Sequence, residues 1–127
     1  MQIAIGSTVL GSGTRAEPVR IISSVGAGNI EVAPLIDAAS PALFDRGNRV
    51  FRDVIEVDYT YADYAAALLG IPARRKAALA ATGNLIYGTG ESSVTVGPAL
   101  VEQAELVEFI GSGITMRYTI VATESYS

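Results

Sequence analysis

The chain has 127 residues, half of them hydrophobic and 17% charged, with nine basic against thirteen acidic side chains and a formal charge of −4. That length suits one domain around a single core, and the composition excludes the disordered class. The acidic balance argues against general nucleic-acid binding, which rests on clustered Lys and Arg.

Cysteine and histidine are both absent. Disulfides and thiolate chemistry are thereby removed, along with the commonest general base and metal ligand. With so few charges, self-assembly is expected to bury part of the surface. The N-terminus lacks a basic stretch followed by an apolar core, and no run of about 18 apolar residues occurs, so neither a secretion signal nor a membrane span is expected.

In chain order, Gln2 to Leu10 is apolar with Gly6 near its middle and reads as a short or kinked strand. Gly11 to Pro18 is rich in turn formers and reads as a loop. Val19 to Val25 suits a strand, Gly26 to Asn29 a turn, and Ile30 to Ile36 an extended piece held to an edge position by Pro34. These short pieces can equally be an arm on a neighbouring subunit. Ala38 to Asn48 reads as a connection, with Phe44 as its plug onto the core.

Arg49 to Tyr61 is the best strand: Phe51, Ile55, Val57, Tyr59 and Tyr61 share one face, and Arg52, Glu56, Asp58 and Thr60 share the other. Thr60 and Asp63 suggest a capping box for a helix from about Tyr61 to Leu69. Gly70 and Pro72 are expected to interrupt it, with a second helical piece from Pro72 to Ala81 ended by Gly83. Ala66, Leu69, Ala77 and Leu79 are its expected core contacts.

Leu85 to Tyr87 and Val94 to Val96 form an expected hairpin around Gly88 to Ser92. Leu100 to Ile110 fits neither a clean helix nor a clean strand. The glycine turn at Gly111 to Gly113 and the alternation from Ile114 to Ala122 favour a long hairpin with a bulge.

No motif carries catalysis, a cofactor or a metal. Gly11, Gly13 and Ala16 match a dinucleotide fingerprint, but Glu17 and Pro18 follow where a helix should continue. The only lysine, Lys76, follows an arginine inside the helical segment, which excludes a P-loop. Asp53, Glu56 and Asp58 do not converge, since Asp53 projects to the opposite face, and they are read as a solvated sheet face. Glu102, Glu105 and Glu108 are read the same way, and Ser92 and Ser93 have no histidine to activate them. Arg46, Arg49 and Arg52, with Arg74, Arg75 and Lys76, are the basic concentrations. They serve either as surface partners for the acids or, in the functional version, as subunit contacts.

The Phe44, Arg46, Asn48 and Arg49 pattern, the strand it opens, the alanine-rich helix after Tyr61 and the hairpin from Val94–Val96 to Met116–Ile120 together resemble small tail proteins of tailed bacteriophages and prophages. The resemblance spans roughly Phe44 to Ala122. It implies an α+β, mainly β fold, an antiparallel sandwich or small barrel with one flanking, interrupted helix. One domain is expected over residues 1–127, with 44–127 as core and 1–43 as an extended arm or short strands. The implied role is structural: a tail-tube, distal-tail or baseplate ring subunit located in the virion, partnered by itself and other tail proteins. The alternative is a small non-enzymatic ligand- or protein-binding β-domain.

Overall fold

A computed structural model describes the backbone of residues 1–33 and 42–125 and the side chains of residues 1–26 and 50–123. The elements are β1 (Ile3–Ile5), β2 (Thr8–Gly11), β3 (Val19–Ala33), β4 (Ala42–Thr60), α1 (Tyr64–Ala80), β5 (Gly83–Thr89), β6 (Ser92–Ile110) and β7 (Gly113–Ser125). The fold is α+β and mainly β. All seven strands join one antiparallel sheet in the order β2-β1-β5-β6-β7-β4-β3. It is neither a two-sheet sandwich nor a closed barrel, and β2 and β3 are its edges.

The sheet is strongly curled. β2 and β4 stand five strand spacings apart in sheet order, which a flat sheet would make about 24 Å. Yet the Tyr59 hydroxyl donates to the Leu10 carbonyl at 2.5 Å. Gly11 also lies against the Val19 and Val57 side chains, so closely that an added Cβ would stand 2.5 Å from Val19 Cγ2. The concave side therefore becomes the core, where Ile3, Ile5, Ile55, Val57, Leu85, Met116, Tyr118 and Ile120 are fully buried.

Strand periodicity accounts for most of this. On β7, Ile114, Met116, Tyr118, Ile120 and Ala122 all point inward, as their alternation requires. β6 runs unbroken to Ile110 and carries two register shifts, at Val101/Gln103 and Leu106/Glu108, which reconcile its irregular pattern with one buried face.

Four local expectations are corrected. Gly6 does not kink a strand but turns the chain between β1 and β2, with φ at 58°. Gly26 to Asn29 is not a turn: β3 runs through it, paired to β4 from Val19↔Val57 to Ala33↔Ala42 with a register shift between Gly28 and Ile30. Gly26 stands opposite Phe51, whose ring lies 3.0 Å from where a Cβ would be, so the glycine makes room for an aromatic neighbour. Residues 42–48 are not a connection but the first part of β4. The Pro34 expectation and the Phe44 side chain lie outside the described residues.

The fourth correction concerns the helix. α1 is continuous across Gly70 and Pro72, and its N-cap is Asp63, whose carboxylate accepts from the Ala66 N–H at 2.8 Å. Pro72 and Leu68 both lie on the exposed side, so the carbonyl that loses its donor is on the solvent-facing flank. Gly70 is a packing notch: a Cβ there would collide with the Tyr61 ring. The helix buries Ala67, Gly70 and Ala78 rather than the expected leucines, and Leu69 is 73% exposed. Small residues let the helix axis approach the sheet closely. They leave Tyr64, Leu68, Leu69 and Leu79 on the outside.

β4 pairs with β7 from Asn48 to Thr60 and with β3 from Arg49 to Val57, and among the described residues Ala42 to Asp45 pair with β3 alone. A two-stranded ribbon therefore projects beyond the sheet, by about 13 Å over its paired residues.

Candidate interaction surfaces

The convex face of the sheet carries a row of alternating charge. Arg20 on β3 stands opposite Glu56 on β4, Glu56 opposite Arg117 on β7, and Arg117 opposite Glu105 on β6. Arg117 donates to Glu56 through Nη2 at 2.7 Å and Nε at 3.0 Å, and lies 3.9 Å from Glu105. Arg20 reaches Glu56 at 3.3 Å and Asp58 at 2.6 Å, and the Thr115 hydroxyl donates to Asp58 at 2.6 Å.

The Arg117 hydrogen bond is the main reason the Glu56 carboxyl lies below the ordinary carboxylate range, against burial pushing it up. Arg20 does the same for Asp58. Stability from both acids is therefore complete above the unfolded carboxylate values, about pH 4 to 4.5, and is lost as pH falls through the lower folded values. Glu56→Gln is expected to cost about 1–2 kcal/mol at neutral pH. In urea denaturation the gap between variant and parent should narrow at pH 3; a gap of equal size at both pH values would contradict the pairing.

Asp53 is indeed on the face opposite Glu56 and Asp58, but that face is the core. Its carboxylate is buried and accepts from the Ser24 hydroxyl at 2.6 Å and from the Tyr87 hydroxyl. Tyr87 belongs to β5, three strands away, so this bond spans the concavity. The reading of these acids as a solvated face is thus corrected twice, since Glu56 is itself covered by its two arginines.

A second inner cluster joins β2, β4, β7 and α1. The Tyr59 hydroxyl donates to Leu10 and therefore accepts from the Tyr118 hydroxyl, 2.7 Å away. Burial pushes both phenols upward, so neither is a proton donor to solvent chemistry at neutral pH. Arg74 of α1 lies 4.0 Å above the Tyr59 ring and donates to the Tyr61 hydroxyl at 3.1 Å.

The five arginines singled out in the sequence do not form one surface. Arg52 lies on the convex face, 3.0 Å from Glu102. Arg74 turns inward onto the tyrosines, whereas Arg75 is exposed on α1. The side chains of Arg46 and Arg49 lie outside the described residues. Arg20 and Arg117 were missed because each stands alone in sequence; what locates Arg117 is the alternation that puts it between the outward residues Thr115 and Thr119.

Beyond the charged row the convex face turns apolar. Val25, Arg52, Val121 and Leu100 succeed one another across β3, β4, β7 and β6. A shallow groove of about 250 Å³ opens among Ser23, Val25, Val50, Arg52 and Val54, and a second of about 180 Å³ among Pro98, Ala99, Leu100, Val121 and Thr123. Among the described residues, no three acidic side chains gather as a metal site, and no helix is long and apolar enough to cross a membrane. No protein-family model and no curated protein matches the chain.

Proposed function

We propose that the chain is a structural subunit that assembles into rings, of the kind found in the tails of tailed phages. One observation carries this reading. β3 is a fifteen-residue edge strand that exposes Ile21, Ile22 and Val25 at 49%, 50% and 61% and continues into the projecting ribbon. A monomer normally blunts such an edge with charge, proline or a covering segment. In an assembly the same edge and ribbon become joining surfaces.

The polar chemistry supports a scaffold role. Glu56, Asp58, Glu102 and Glu105 of the convex face each lie beside an arginine, and the inner hydroxyls close the curl of the sheet. A net acidic ring would also let DNA pass its lumen without adhering. The alternative, a small ligand-binding β-domain, draws only on the convex grooves. Those are open and smaller than the roughly 300–1,000 Å³ of an ordinary ligand pocket.

The test is size-exclusion chromatography of the purified chain over a range of concentrations, followed by negative-stain imaging. Rings or short tubes are expected. A strictly monomeric protein at the highest concentration would overturn the reading.

A further inference from the structure

We propose that the projecting β3–β4 ribbons of successive copies pair edge to edge, the β4 edge of one ribbon with the β3 edge of the next, so that the ring is lined by a closed barrel with two strands from each copy. This rests on the ring reading above and names its contact. The ribbon runs from Ile30↔Asp45 to Ala33↔Ala42, an antiparallel pair with no third strand beside it among the described residues. An isolated two-stranded ribbon is only marginally stable in water, and further strands are needed to hold it. Nothing in the sequence blunts its edges. Val19 to Ala33 contains no lysine and no proline, and Ile30–Ala33 together with Ala42–Phe44 carry Glu31 as their only charge.

The edges themselves select another copy of the same ribbon as the occupant. Two sides are open: the outer edge of β3 and, from Ala42 to Asp45, the opposite edge of β4. A foreign strand added to one side would leave the other unpaired, and two copies joined β3 to β3 about a two-fold axis would leave both β4 edges open. A row of identical ribbons satisfies both edges at once, and only a closed row has no end.

Strand direction agrees with this. In a cyclic ring every ribbon points the same way along the axis, so β4 of one copy runs antiparallel to β3 of the next, just as it does to its own β3. The new contact is therefore an ordinary antiparallel ladder, offset by the stagger that a closed barrel requires. The β3 edge is also free where it is needed. At Val19 it is backed by Gly11, but Ile21, Ile22 and Val25 are exposed as the strand runs toward the ribbon.

Gly28 and Arg49 stand directly opposite, so replacing Asn29–Asn48 by a two-residue Asn-Gly turn removes the ribbon and keeps the rest of the sheet. The shortened chain should give a folded β-sheet circular dichroism spectrum and stay monomeric in size-exclusion chromatography where the full chain forms rings. Hydrogen exchange of the full chain separates strand pairing from side-chain contact. The outward-pointing amides among Ala42–Asp45 should exchange at least about ten-fold more slowly in rings than in dilute, dissociated protein, equivalent to about 1.4 kcal/mol. Should the shortened chain misfold, the exchange measurement alone decides. Rings formed by the shortened chain, or rings in which these amides exchange as fast as in dissociated protein, overturn the ribbon contact and leave the ring reading standing. No rings from the full chain overturns both.

Discussion

Tyr59→Ala is expected to be the most damaging single substitution in the described chain, costing about 3–5 kcal/mol, as for other large aromatic side chains truncated in a core. The ring is 2% exposed and is the point where β2, β7 and α1 meet: its hydroxyl bonds Leu10 and Tyr118, and its face carries Arg74. Truncation opens a cavity and also strips the Leu10 carbonyl of its donor. Thermal unfolding should fall by roughly 10–20 °C. Tyr59→Phe separates the two effects, because it keeps the ring and removes only the hydroxyl, for about 1–3 kcal/mol. If the two variants lost the same stability, the packing role of the ring would be wrong. If Tyr59→Phe were silent, the bond that holds the curl of the sheet would be wrong.

The second large effect lies on the helix and runs against a ranking by hydrophobicity. Ala78→Leu is expected to destabilise by about 1–3 kcal/mol, since Ala78 is 1% exposed and packs within the core. Leu79→Ala, one residue on, should change stability by no more than about 0.5 kcal/mol in the monomer. Urea denaturation reads both as shifts in midpoint at constant slope. The opposite ranking would mean that α1 presents its leucines to the core.

That pair also shows what could be read from the residues alone. Ile114 to Ala122 and Phe51 to Tyr59 advertise their buried faces by strict alternation, and both strands stand where that alternation puts them. The helix was legible in place but not in orientation. Leu69 and Leu79 looked like core contacts because they are apolar, whereas the available space selected Ala67, Gly70 and Ala78. Gly70 and Pro72 read as breakers from local propensity, but contact with Tyr61 and an exposed flank override it.

The polar surfaces were less legible, for a different reason. Asp53 was grouped by charge with Glu56 and Asp58, although its parity with Phe51 and Ile55 already placed it on the core side. What parity could not show was Tyr87 arriving from three strands away. The charged row depends on the β4–β7 register, which pairs residues 61 positions apart. No local pattern encodes that distance. Gly26 and Gly28 hid the length of β3 in the same way, because their turn preference is outweighed by pairing with β4 on both sides of a register shift.

The central claim is that copies of this chain close into a ring, and native mass spectrometry of the unmodified protein, across protein concentration and at low and moderate salt, tests it most directly. One dominant species of fixed copy number, dissociating as salt rises, is the predicted result. A monomer at every concentration, or a continuous spread of sizes without a preferred copy number, would contradict it.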